Sequence, residues 1–330
     1  MRIFAFDPED FRNHYHRQGW VHIKDGIHPD FLAELRQGAE RQSRVERLDR
    51  FAIKGKKEQA LYEFPASTDY PEELFDAVAS VCGLRRESMT LSERHIQIYD
   101  AEAKPDPQAH KDRFPSQVSV GLSIEIPQDS RLVLYPHDRR EVNPFISAAA
   151  LIRHLQPDEL PDVALRHAQA VEIADRPGDV VMFPGSTTWH LRRHAAGAVN
   201  LYVKCNDFDC DPLGEDPRTA PRREHTVHML ATADREKLAA QPVKLSRRLD
   251  SVARRQTRDG FNEVLEACLY GSDPFGITET QRQILCAAGE AKPLEGLLEQ
   301  VATDGRTREE SLSDAIRLLE LGALEILAEA

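Results

Sequence analysis

Two residue types that bind metals well stand two apart in "QAHKDRFPSQVSVGLSIEIP" (residues 108–127), at His110 and Asp112. They precede an alternating apolar run. Side chains of an extended segment alternate with period two, so both project from one face. A histidine and a carboxylate placed this way are two corners of a facial triad. A histidine from another strand supplies the third, leaving three positions on a ferrous ion for a co-substrate and oxygen. "RPGDVVMFPGSTTWHLRRHAAGAVNLYVKCNDF" (176–208) offers His190, after a buried-looking strand and a turn of small residues. Taken alone, an H-x-D pair also fits a polar turn before a strand. The ordered combination of the pair, the P-G-D-x-x-x-F strand and the distal histidine favours the metal site.

The elements that must position these groups are legible as a change of texture along the chain. Residues 1–90 read as mainly helical, with one short strand as support for a core. "DPEDFRNHYHRQG" is a helix with Asp7 as N-cap and Gly19 as its stop, and "WVHIKDGI" alternates like a strand. "HPDFLAELRQGAERQSRVERL" (28–48) returns to helical spacing with Phe31, Leu32 and Leu35 on one side, and "PEELFDAVASVCGL" is a helix ending at Gly83. From 91 to 210 short β-branched and aromatic runs ("RHIQIYD", "QVSVGLSIEIP", "RLVLYP", "AVEIADRPGDVVMFP", "AVNLYVKCNDF") are separated by proline, glycine and aspartate. Such punctuation predicts a β sandwich or barrel. Residues 143–168 form an insertion with helical periodicity, and 211–330 a helical extension entered through the Pro-rich "DPLGEDPRTAPRREH".

Bulk properties narrow the function classes. Of 330 residues 41% are apolar, enough for a proper core, and no apolar run reaches the roughly 18 residues of a membrane span. The N-terminus is interrupted by charge and does not read as a signal peptide. Five scattered cysteines (Cys82, Cys205, Cys210, Cys268, Cys286) without a C-x-x-C read as reduced thiols in a cytoplasmic protein. A net charge of −12 argues against general nucleic-acid binding.

On the opener "FRNHYHRQGWVHIKDGI…FLAEL", on "HIQIYD…AHKD" and on "RPGDVVMFPGSTTWH", the chain resembles the Fe(II)/2-oxoglutarate-dependent oxygenases over roughly residues 5–210, most closely the phytanoyl-CoA dioxygenase-like and prolyl-hydroxylase-like branches. The resemblance implies an α+β protein with a double-stranded β-helix (jelly-roll, cupin-like) core. It implies Fe(II) held by His110, Asp112 and His190, with 2-oxoglutarate and O2 as co-substrates. Members that halogenate carry a small residue in place of the aspartate, so Asp112 points to hydroxylation or another oxidation. These enzymes grip the far carboxylate of 2-oxoglutarate with a basic residue on the last core strand. Lys204, sharing a face with Asn200 and Tyr202, is the expected anchor, with Arg192 and Arg193 as fallback. This departs from the arginine of the phytanoyl-CoA pattern, and a lysine grips a carboxylate only as a point charge. Tyr99 and Gln97 are further expected contacts.

Other histidines take plainer roles: His14, His16, His22 and His28 read as surface or satisfied groups, His137 as a loop residue, and His194 as projecting beside His190. "REKLAAQPVKLSRRLDSVARRQTRDGFNEVLEACLYG" (235–271) reads as helical and locally basic. The tail beyond it has a helix–turn–helix–turn–strand rhythm resembling a winged helix. From Asp273 to Glu329 it carries 12 acidic and 5 basic residues, which excludes a DNA-recognition helix. Dimerisation or a lid is the expected role of the tail. The expected substrate is a small metabolite such as an amino acid or natural-product intermediate. A peptide or carrier protein gripped by the tail is the alternative, and a silent or 2-oxoglutarate-independent cupin the contrasting class.

Overall fold

The computed structural model describes residues 1–42, 57–145, 147–301 and 307–328. The chain divides into two compact units, Met1–Asp209 and Cys210–Ala330. The last six residues of the 28–48 helical reading lie outside the described residues.

The first unit opens with α1 (Glu9–Gln18), β1 (Val21–Ile23), α2 (Pro29–Gln42), β2 (Lys57–Leu61) and α3 (Tyr70–Cys82). Helices α1 and α3 stop where glycine takes a left-handed conformation, at Gly19 (φ 74°) and Gly83 (φ 72°). Pro8, rather than Asp7, occupies the N-cap of α1, and the Asp7 carboxylate accepts the N–H of Glu9, two residues on. The strands follow: β3 (Thr90–Tyr99), β4 (Val118–Glu125), β5 (Arg131–Tyr135), then short helices α4 (Ala148–His154) and α5 (Pro161–Ala164), and β6 (Val171–Ile173), β7 (Val180–Phe183), β8 (Trp189–Arg193) and β9 (Val199–Asn206).

These strands form two antiparallel sheets. One is ordered β1-β7-β4-β9-β3-β2, the other β6-β5-β8, and a bridge between His110 and His190 adds the His110 segment beside β8. With β3 as the first of eight core segments and His110 as the second, the chain changes sheet at every step except from the fourth segment to the fifth. The larger takes the first, eighth, third and sixth; the smaller takes the second, seventh, fourth and fifth. That order is a double-stranded β-helix, the jelly roll expected from the sequence.

Alternation divides each strand cleanly. Val118, Val120, Leu122, Ile124, Val180, Met182, Leu201, Val203, Cys205 and Ile96 pack with α1–α3 residues such as Tyr15, Phe31, Leu35, Phe75 and Val78 on the outer face. The opposite face is polar over much of its area, carrying Glu93, His95, Gln97 and Tyr99 on β3. Register sets these against Lys204, Tyr202 and Asn200 of β9, which in turn face Ser119, Gly121 and Ser123 of β4. A Cβ on Gly121 would meet the Tyr202 ring at 3.0 Å, so this glycine gives the ring its room. Leu132, Leu134, Ile173, Val181 and Phe183 fill another part of the interior. The outer face of the small sheet is sealed by Leu151 and Leu165 of the helical insertion, against Val133, Trp189 and Leu191.

The second unit contains α6 (Thr219–Thr232), α7 (Arg235–Ala239), β10 (Pro242–Leu245), β11 (Leu249–Gln256), β12 (Glu263–Leu269), β13 (Phe275–Gly276), α8 (Glu279–Ala287), β14 (Lys292–Pro293), α9 (Leu294–Gln300), α10 (Arg308–Leu321) and β15 (Leu324–Ile326). Its core joins α8, α9 and α10 to a β14-β10-β15 sheet through Ile284, Leu285, Leu297, Leu318 and Ile326. The helical reading of 235–271 is corrected here: only α7 is helical, and β11 and β12 form a hairpin in which Val252 faces Ala267 and Arg254 faces Leu265. Its Arg, Ala, Leu and Glu content suits a helix, but Gly260 (φ 69°) and Phe261 (φ 52°) turn the chain back on itself. The basic run is consumed locally, Arg254 by Glu263 at 2.7 Å, Arg255 by Glu266 at 2.7 Å and buried Arg247 by Asp216 at 3.3 Å. No described helix is long and apolar enough to cross a membrane.

Candidate metal centre

His110 and His190 are tied to each other through the backbone. Each N–H donates to the other's carbonyl at 2.9 Å, so the two imidazoles rise side by side with ring centroids 4.4 Å apart. Asp112 follows two positions later on the same face, its N–H donating to the Gly185 carbonyl at 2.9 Å. The result is one cluster: His110, Asp112 and His190 each offer a ligand atom within 4.8 Å of the others. Asp112 Oδ1 lies 3.7 Å from His190 Nε2 and 4.0 Å from His110 Nε2. Two metal–ligand bonds of about 2.1 Å at a right angle place their donors about 3 Å apart, so these atoms would draw together by roughly 1 Å to share one ion. Among the described residues no other group of three or more His, Cys, Asp or Glu converges in this way.

The surroundings fix the donors in the forms a metal needs. His190 Nδ1 lies 2.9 Å from the Thr188 carbonyl; as Nδ1–H donor it leaves the Nε2 lone pair free toward Asp112. Its ring stands edge-on to Phe183, with centroids 4.8 Å apart. Burial alone would raise the Asp112 carboxyl, but Lys204, then His190 and His110, outweigh it and hold the group well below the usual carboxylate range. The acid therefore stands ready as an anionic ligand. The His110 side chain keeps 43% of its exposure against 8% for His190, so the centre opens to solvent on the His110 side.

Four residues absent from the sequence-derived set build the support. Ser119 Oγ donates to Asp112 Oδ2 at 2.7 Å. Gly185 lies against the same oxygen: a Cβ there would sit 2.0 Å from Ser119 Oγ and 2.5 Å from Asp112 Oδ2. Asn143 Nδ2 donates to the Asp112 carbonyl at 2.9 Å. Lys111, between the two donors, points the other way, over the Trp189 ring at 4.9 Å, and donates to the carbonyls of Glu141, at 2.7 Å, and Arg139. Burial lowers its pKa to about 8. The small-residue turn "PGSTT" was the one sequence signal for this shell; the others depend on contacts between distant segments.

The predicted co-substrate residues fall in three places. Gln97 and Tyr99 share the inner face of β3, and Tyr99 Oη donates to Gln97 Oε1 at 3.2 Å. Burial, then Tyr202 and Asp112 with Arg192 opposing, pushes the Tyr99 hydroxyl up. Lys204 is not held apart from the metal ligands: its Nζ donates to Asp112 Oδ2 and, at 3.0 Å, to Ser119 Oγ. Arg193 faces outward and pairs with Asp106 at 2.8 Å and Glu172 at 2.6 Å. Arg192, next in sequence, points inward with His190. Burial works against its charge and is outweighed by Tyr202 and by buried Asp175, which it grips with two terminal nitrogens at 3.0 and 2.9 Å.

Two buried polar groups on these inner faces lack hydrogen-bond partners among the described residues, the Arg192 Nε and the whole amide of Asn200. Groups of this kind are costly unless something polar reaches them. Arg113 pairs with Glu93 at 3.0 Å. His194 does not project beside His190: β8 ends at Arg193, and His194 turns away in a left-handed conformation (φ 46°) to an exposed position.

No family model and no curated protein matches the chain. Solved structures similar to it include the non-heme α-ketoglutarate-dependent epimerase SnoN of nogalamycin biosynthesis, at 14% identity and TM-score 0.46 over 61% of this chain and 81% of that one. HygX of Streptomyces hygroscopicus, solved with nickel, 2-oxoglutarate and hygromycin B, matches at 11% identity and TM-score 0.42, covering 61% and 87%. A Pseudomonas putida prolyl-4-hydroxylase matches at 14% identity and TM-score 0.37, covering 60% and 97%. At such distances the assignment of a function rests on the site itself.

Proposed function

We propose that the chain is an Fe(II)- and 2-oxoglutarate-dependent oxygenase that oxidises a C–H bond of a small polar molecule. The observation that carries this reading is the convergence of His110, Asp112 and His190 around one point, with both Nε2 atoms turned to Asp112 Oδ1. Two imidazoles and one carboxylate on one side of an ion leave the other side open, the donor set of non-heme Fe(II) oxygenases. When bound, Fe(II) with 2-oxoglutarate supplies the oxidising power, consuming O2 and releasing succinate and carbon dioxide as a C–H bond is oxidised. Asp112 fills the third protein position, which supports hydroxylation or a related oxidation over halogenation.

The chain's own groups do the positioning. His190 is locked by Thr188, and Asp112 by Lys204, Ser119 and the Gly185 backbone. Lys204 Nζ is committed to Asp112 and the two terminal nitrogens of Arg192 to Asp175, but Arg192 keeps its Nε for the far carboxylate. It lies two residues beyond His190 on the same inner face, about 6.6 Å along the strand, of the order of a five-carbon diacid's reach. Its Nε and the Asn200 amide supply hydrogen-bond donors without partners among the described residues. Phe183 and the apolar cluster behind it exclude water from the buried side. The open His110 side is the route for substrate.

The test is anaerobic titration of the apo-protein with Fe(II) and 2-oxoglutarate, followed by 2-oxoglutarate decarboxylation in air. The chelate's charge-transfer absorption and substrate-independent succinate release are expected of the unaltered chain and absent from His110→Ala and Asp112→Ala. Absence of both from the unaltered chain would reject the proposal in favour of a silent fold.

A further inference from the structure

The Asp112 carboxylate is used unevenly. Its Oδ1 faces the two Nε2 atoms, at 3.7 and 4.0 Å. Its Oδ2 faces away, into a cradle made by Lys204 Nζ, by Ser119 Oγ at 2.7 Å, and by Gly185, which has no side chain to intrude. Lys204 and Ser119 are themselves 3.0 Å apart and stand opposite each other in the β4–β9 register. The cradle therefore belongs to the frame of the large sheet, while the donors it serves sit on the segment beside β8. Lys204 is 4% exposed, so its charge is poorly screened by solvent.

We infer that Lys204 is a positioning residue of the metal centre: it clamps Asp112 Oδ2, restricts the aspartate to a one-oxygen ligand through Oδ1, and sets a fixed positive charge against the bound cation. The inference rests on the metal reading above and adds a function to a residue first expected to hold the co-substrate. Two consequences follow from elementary electrostatics and geometry. A carboxylate engaged through one oxygen occupies a single position, so three remain open. A buried ammonium on the other oxygen competes with the cation for the charge of the ionised carboxylate, so the ionised centre binds divalent metal less tightly than the same three donors would without it.

Co(II), a spectroscopic stand-in for Fe(II), separates these effects in the full-length protein. Lys204→Gln keeps a donor near Oδ2 but removes the charge. It should bind Co(II) roughly tenfold more tightly by calorimetry, with an unchanged d–d spectrum. Lys204→Met removes both donor and charge; it should also bind more tightly, and its spectrum should change as Asp112 becomes free to use both oxygens. Lys204→Arg keeps the charge in a bulkier form and should not bind Co(II) more tightly than the unaltered chain. A merely structural lysine would lower the melting temperature in all three without tightening metal binding. Folded Lys204→Gln with unchanged or weaker Co(II) affinity overturns the inference alone, whereas an unaltered chain that binds no Co(II) overturns the metal reading with it.

Discussion

Replacing Gly185 by alanine would place a methyl carbon 2.0 Å from Ser119 Oγ and 2.5 Å from Asp112 Oδ2. Ordinary contact begins near 3.4 Å, so the hydroxyl must retreat by about 1.4 Å and the carboxylate by about 0.9 Å. Neither can retreat independently, because the two are hydrogen-bonded to each other at 2.7 Å and Lys204 grips both. The glycine's backbone does not need a left-handed conformation, so the cost is purely steric. Overpacking of a tight interior costs about 1–3 kcal/mol, and a lost hydrogen bond to a charged acceptor about 1.5–3 kcal/mol. A loss near 3–5 kcal/mol of unfolding free energy is therefore expected in chemical denaturation. Displacing a ligand by nearly 1 Å should lower 2-oxoglutarate turnover about 100-fold. Gly185→Ala/Ser119→Gly removes the nearest obstacle and should recover part of the stability, a coupling that a double-mutant cycle measures. Wild-type stability and metal affinity in Gly185→Ala would refute the cradle.

Three further outcomes are expected. Asp112→Ala should cost about 3–5 kcal/mol in urea unfolding because it strands buried Lys204, whereas His110→Ala, at a half-exposed side chain, should cost under about 1 kcal/mol while also abolishing stoichiometric metal binding. Breaking the buried pair with Arg192→Met should cost about 3–5 kcal/mol, and the joint change with Asp175→Leu should restore much of it. The KM for 2-oxoglutarate should nevertheless stay raised by about tenfold or more in both, separating ligand contact from packing. In the second unit burial pushes the Asp211 carboxyl up to about 6, against the donors Thr219, Asp216 and Glu215. The folded unit thus keeps a proton that the unfolded chain releases near 4. The associated stability should be full below about pH 4 and lost as pH rises through about 6, and Asp211→Asn should flatten that slope in pH-dependent melting.

How much of this could be read beforehand differs from residue to residue. Period-two alternation put His110 with Asp112 and Asn200 with Tyr202 and Lys204, and those faces are the ones observed. The same rule distinguishes inward Arg192 from outward Arg193 once the boundaries of β8 are known, but the run "WHLRRHAAG" does not disclose them. Alternation says which face Lys204 takes and nothing about what meets it there: Asp112 lies 92 positions earlier, on a segment contributed to the other sheet. Gly185 was legible as a turn residue, not as the space a carboxylate needs. In 249–269 good helix formers masked a strand pattern, and the Asp259-Gly260 dipeptide was the only local mark of a hairpin. Packing partners and turn chemistry, rather than composition, decided each of these cases.

The backbone bridge between His110 and His190 has a kinetic consequence. Each ligand's amide hydrogen is held by the other ligand's carbonyl, outside any long strand pairing. For either hydrogen to exchange with solvent deuterium the two imidazoles must part, and a shared ion forbids exactly that separation by bonding to both. Occupancy of the centre should thus be written into two backbone protons, slow with metal and fast without.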